Sequence, residues 1–242
     1  MDKGNRLVRR IGAGVIGEIQ IIRNGFSDRR LLARKMAGSS VGDKTTVHPS
    51  AYIADRGVII GRGCAIGPEC VIFENTVIED DVEIGIGTVV GSQGYICKKH
   101  GKRITPVRHV GGVRIRRGAK IRSFCCIDKT VNRKSGVTEI GEGASLGDQI
   151  HVAHNARIGK DCRVASGAMI AGYVTIGDGA VVGYNASVSN RVTIGDRAVV
   201  MDGAVATKDV AADQRVSGNF AIDTKKHIAQ VENTALGTGE GA

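Results

Sequence analysis

Large aliphatic residues recur every six positions along most of this chain. From Ile140 they fall at Leu146, Val152, Ile158, Val164, Ile170, Ile176, Val182, Val188, Ile194 and Val200. An earlier array runs Ile60, Ile66, Ile72, Ile78, Ile84 and Val90, and a shorter one Ile115, Ile121 and Ile127. A helix repeats about every 3.6 residues and a half-buried strand about every two, so a period of six fits neither. It fits a short strand plus a corner. Three such units close one triangular coil of roughly 18 residues, and stacked coils pair as parallel strands about 4.8 Å apart. The aliphatic and a small residue four places later point inward. The second and third positions after the aliphatic form a corner. The class is all-β, a parallel β-helix.

The period breaks in two places. SQGYICKKHGKRITPVRHVGG, residues 92–112, cannot hold it, and KTVNRKSGVTE in 128–139 inserts about one unit. Insertions in a solenoid leave as surface loops, often beside a binding site. Residues 1–46 precede the repeats as a short separate segment, and 47–216 form the β-helix. Residues 217–242 carry a short helix, with Asn219 or Asp223 as its N-cap, and a disordered end, LGTGEGA.

Composition narrows the picture. The 242 residues include 35 Gly, 3% aromatics and no Trp, which suits a narrow core. No long apolar run predicts a transmembrane helix, and the N-terminus is too polar for a secretion signal, so a cytoplasmic location is expected. Cys64, Cys70, Cys125 and Cys162 each fall four places after an inward aliphatic. That is the small interior slot, where free Cys acts as a small hydrophobe. Neither a disulfide framework nor a metal is expected. GAGVIG at 12–17 matches a dinucleotide fingerprint only formally, because the βαβ unit it needs has no room.

The net charge is +10, and Lys98 to Arg122 holds ten Lys or Arg and no acid. An anionic partner is expected, such as a nucleotide diphosphate, coenzyme A or an acidic carrier protein. Nucleic acid is not, since no aromatic residues interleave with the charge.

Two histidines interrupt the repeat in HVAHNARIG. His154 lies two places after Val152, at an outward corner. One coil later stands Gly172, whose missing side chain would let a substrate reach backbone N–H groups. Asp148, six residues earlier, is a candidate to orient His154, and the basic loop can cover this face. A neutral imidazole suits general-base work near pH 7, and a backbone N–H can hold an oxyanion.

SLGDQIHVAHNARIGKDCRVASGAMIAG resembles the active-site region of UDP-3-O-acylglucosamine N-acyltransferases, lipid A pathway enzymes that acylate an amino sugar nucleotide. VVGSQGY and CCID are similar to that family's segments, and the likeness spans residues 47–205. It implies a left-handed coil, a homotrimer, His154 as general base and Gly172 as oxyanion donor. Asp148 would assist, and His151, Gln149, Asn155, Tyr95 and Arg191 would line the substrate site. Acyl-acyl carrier protein or acyl-coenzyme A would be the co-substrate, with no tightly bound cofactor. The chain departs from the family in its short N-terminal segment, in Arg191 where a second histidine stands, and in Gly147 where an acidic residue stands. GAVATKDVAADQRVSGNFA is more like the ending of acetyl-coenzyme A-dependent sugar acetyltransferases, which keeps sugar N- or O-acetylation open. A non-catalytic scaffold is the third reading.

Overall fold

In a computed structural model, which describes residues 38–218 and 224–235, the six-residue period becomes a left-handed parallel β-helix. Each side of the triangular coil supplies one strand to one of three parallel sheets, of eight, nine and eight strands. Most strands are two residues long, such as His151–Val152, Arg157–Ile158 and Arg163–Val164.

The register stacks like on like. Ile140 lies on Ile158, Ile158 on Ile176 and Ile176 on Ile194. Leu146, Val164, Val182 and Val200 form a second column. Ile127, Val152, Ile170 and Val188 form the third. All of them are buried. The four interior cysteines are buried too, and each thiol meets a backbone carbonyl, as Cys162 Sγ does with Gly177 O at 2.9 Å. Burial pushes the Cys162 thiol up to about 11.

Corners turn through left-handed backbone at the third position after the aliphatic, as at Asn155, Tyr173 and Arg191 (φ 62°, 61° and 66°). Their amides continue the ladder. Tyr173 N–H donates to His154 O, and Arg191 N–H to Gly172 O, each at 3.0 Å. At many corners the amide one place earlier is met by a side chain from the next coil. Asp178 Oδ1 accepts from Lys160 N–H at 2.8 Å, and Asp196 Oδ1 from Asp178 N–H at 2.9 Å. Corner amides outside the sheet ladder thus still find acceptors.

Both irregular stretches leave the six-residue repeat, although His109, Asp128, Lys129 and Thr130 within them are buried. Within 92–112 the strands Cys97–His100 and Arg103–Pro106 form an exposed antiparallel hairpin. The insertion after Asp128 contains a single 3-10 turn, Arg133–Ser135. Pairing begins earlier than the sequence suggested, because Gly38–Val41 adds a rung beside Arg56–Ile60, ahead of the expected boundary at Val47. The expected C-terminal helix is Thr224–Ala235. The caps Asn219 and Asp223, GAGVIG and LGTGEGA lie outside the described residues. Among the described residues no helix is long and apolar enough to cross a membrane.

Ile176 is 1% exposed in the middle of its column. Ile176→Ala should lower the unfolding free energy by about 2–5 kcal/mol and Ile176→Val by about 0.5–1.5 kcal/mol in a denaturant titration. Equal, negligible effects would contradict a close-packed column.

Candidate active site

The third sheet carries the chemistry. His151 stands beside Cys126 on one neighbouring strand and Met169 on the other. His154 occupies the following corner. The hairpin segment closes over this edge and leaves a cleft of about 610 Å³. Tyr95, Asp128, His151, His154, Gly172 and Arg191 are among the residues that line it.

His154 sits at its corner as expected but is only 7% exposed, because neighbours cover it. The His109 ring packs at 5.3 Å between centroids and the Tyr173 ring edge-on at 5.2 Å. His154 Nδ1 is sealed from solvent and makes no well-formed hydrogen bond, so Nε2 is the ring nitrogen that reaches the cleft. Gly172 is required here for space. A Cβ on it would lie 2.5 Å from His154 Cε1 and 2.8 Å from Nε2. The Gly172 N–H donates to no described residue, so a free amide stands beside the imidazole.

Burial holds the His154 pKa below its ordinary value, and the charge of His109 pushes the same way; Asn155 and Asp128 oppose. His151 is the opposite case. Its Nε2 donates to Asp128 Oδ2 at 3.0 Å, while its Nδ1 faces Met169 Sδ at 3.2 Å. Both ring nitrogens therefore face acceptors, an arrangement that suits imidazolium. The Asp128 hydrogen bond raises the His151 pKa against the effect of burial. Two imidazoles three residues apart are thus tuned in opposite directions.

Asp148 does not come to the site. It is exposed at the preceding corner, where its Oδ1 accepts from Ser123 N–H and its own N–H donates to Ser166 Oγ, both at 2.9 Å. Six residues back is one edge of the triangle away; edges are shared by stacked coils. Gln149 lies at that same earlier corner, exposed, with its N–H on Ser123 O at 2.8 Å. The carboxylate at the His edge is Asp128, 3% exposed, whose Oδ1 accepts from Ser92 Oγ at 2.6 Å. Asn155 is buried. Its N–H donates to Thr138 Oγ1 at 2.9 Å, and its Oδ1 accepts from Val131 N–H at 3.3 Å, tying the insertion to the corner. Tyr95 is 89% exposed at the cleft mouth. The Arg191 guanidinium lies 5.6 Å from the Tyr173 ring centroid.

Sequence reasoning missed Asp128, His109 and Tyr173. Ile127 marks the register of its neighbour Asp128, and Tyr173 follows Gly172 at a corner, so both had a positional signal. His109 had none, because its segment has no period.

The basic run divides in two. Arg116 pairs with Glu79 and Glu139, Arg117 with Glu142 and Lys120 with Glu83 on the solenoid surface. These residues face acidic neighbours from other coils. Lys98, Lys99 and Arg103 sit on the exposed hairpin beside the cleft.

Cys126, Asp128 and His151 have donor atoms within 4.8 Å of one another. A soft divalent ion would match that donor set. In the structure these groups are hydrogen-bonded among themselves and to Ser92.

The bacterial transferase hexapeptide (six repeats) model matches residues 138–172, which include both His154 and Gly172. The chain carries hexapeptide repeats and is similar over part of its length to UDP-3-O-acylglucosamine N-acyltransferases. The hexapeptide-repeat chain is 42% identical over 156 residues to UDP-3-O-acylglucosamine N-acyltransferase 1 of Gloeobacter violaceus, covering 64% of this chain and 43% of that one. It is 33% identical over 96 residues to the UDP-3-O-acylglucosamine N-acyltransferase of Helicobacter pylori, covering 39% of this chain and 27% of that one. It thus spans less than half the length of these curated relatives. The UDP-N-acetylglucosamine acyltransferase of Campylobacter jejuni superposes with a TM-score of 0.67 at 22% identity, covering 84% of this chain and 82% of that one, which establishes the fold.

A histidine NMR titration checks the opposed tuning. His154 should titrate below about 6.5 and His151 above it. The His154 contribution to stability is lost as pH falls through its lowered pKa, and the His151 contribution as pH rises through its raised one. Coincident midpoints would contradict the geometry.

Proposed function

We propose that this chain moves an acyl group from a thioester to the amine of a sugar nucleotide, with His154 as the general base. One observation carries the reading. A shielded imidazole held neutral presents Nε2 to a cleft beside the unengaged N–H of Gly172. The amine nitrogen attacks the thioester carbonyl, forming the C–N bond as its proton passes to His154 Nε2. The Gly172 N–H holds the tetrahedral oxyanion. Collapse breaks the C–S bond, and His154 returns the proton to the leaving thiolate. His151, held near Asp128 as imidazolium, and Arg191 offer positive charge to the nucleotide, while the hairpin lysines face the donor's phosphate. Acyl carrier protein or coenzyme A carries the acyl group.

The expected trimer fits the outward row of the third sheet. Tyr52, Val71, Val89, Cys126, His151, Met169, Ser187 and Val205 follow one another across its strands. None is Asp, Glu, Lys or Arg. The other two sheets carry Arg114, Glu139 and Arg157, or Glu83, Lys120 and Arg163, in the equivalent row. A row whose one charge is that of His151, paired with Asp128, is suited to burial against another copy.

His154→Ala should fold normally and lose about 10²–10⁴ in turnover. Gly172→Ala should lose turnover through the collision of its methyl with His154. Acyl carrier protein thioesters and acetyl-coenzyme A, offered separately, identify the donor. Near-normal turnover of His154→Ala would remove the base assignment. No turnover by the wild-type chain with either donor on an amino sugar nucleotide would favour a scaffold.

A further inference from the structure

His109 belongs to the basic segment that has no period, yet it is among the most buried polar residues, 1% exposed. Its place is fixed from three sides. Its backbone N–H donates to Gln93 Oε1 at 2.8 Å, and Gln93 Nε2 donates back to His109 O at 3.2 Å. Its Nδ1 lies 2.9 Å from Val107 O. A carbonyl can only accept, so Nδ1 carries the hydrogen and a neutral ring leaves Nε2 bare. That Nε2 is buried without a partner. It points where a Cβ on Gly94 would lie 2.8 Å away; the same Cβ would lie 3.0 Å from His154 Cδ2 and 3.2 Å from Asp128 Oδ2. The ring is therefore wedged between the loop and the His154 corner.

A buried imidazole with an unmet nitrogen is costly, and Phe or Leu would fill the same volume without that penalty. What the ring does in return is cover His154 on the loop side: the two rings pack 5.3 Å apart between centroids, with His109 Nε2 toward the Cδ2 edge of His154. We propose that His109 is a positioning residue: packed against the His154 ring from the loop, it holds that ring at its corner and keeps water off its loop side. The proposal rests on His154 being the base. The titratable groups that face His154 are His109, Asp128 and His151, with Tyr173 packed on its ring. Burial is the leading cause of the lowered His154 pKa and the His109 charge the next. Removing the cover therefore acts in one direction.

The test is a histidine NMR titration of the full chain, wild type against His109→Ala and His109→Phe, with circular dichroism to verify the coils. His109→Ala should move the His154 midpoint upward toward the ordinary value, while His151, held by Asp128, keeps its raised midpoint. His109→Phe restores the bulk and should return the His154 midpoint to the low side. A His154 midpoint unmoved in a folded His109→Ala chain overturns the proposal, as does failure of Phe to restore it. The readout needs no turnover. Absence of acyl transfer by the wild type would therefore overturn the functional reading and leave this result to stand or fall alone. If transfer is observed, the acid limb of kcat/KM should move with the NMR midpoint in His109→Ala.

Discussion

In-register parallel stacking is the constraint on which this protein depends. Each strand of two residues is far too short to be stable alone. It persists because each coil supplies hydrogen-bond partners for the next and because equivalent side chains meet in columns. Ile140, Ile158, Ile176 and Ile194 are one such column. The same stacking reaches the corners, where amides pass from coil to coil and Asp178 or Asp196 takes the ones the sheet leaves over. A residue's position in the coil therefore fixes what it touches one coil away.

The candidate chemistry uses that arrangement. His154 and Gly172 meet because they occupy the same corner on consecutive coils, and a glycine is the residue that leaves room for the ring. Asp128 reaches His151 for the same reason, although the insertion separates them in sequence, since Ile127 pairs with Val152. The loop supplies what the coils cannot. A solenoid corner is open to water, and His109 and the hairpin convert it into a cleft whose loop side is shielded. Two histidines from one short stretch end in opposite protonation regimes, one facing acceptors at both nitrogens and the other deprived of water at one.

The fold and half of the site were legible in the sequence because they follow from counting. The six-residue spacing placed every core column, the interior cysteines and the His154–Gly172 pair. Counting failed where the relation was read along the chain instead of across coils. Asp148 is near His154 in sequence but on another edge, and Gln149 shares its fate. It also failed where no period exists. Nothing in SQGYICKKHGKRITPVRHVGG tells which residue turns inward, so His109 came only from the three-dimensional closure of the loop. Charge misled for a related reason. Arg116, Arg117 and Lys120 read as part of one basic run, yet their acidic partners come from other coils.

The central claim is that His154, in its shielded and neutral form, is the base. The most direct measurement is the pH dependence of kcat/KM for acyl transfer, set beside the titration of the two histidines in the free protein. The account predicts an acid limb of unit slope whose midpoint coincides with that of His154, below the ordinary histidine value. An acid limb that follows the raised midpoint of His151, or a rate that does not change with pH across this range, would contradict it.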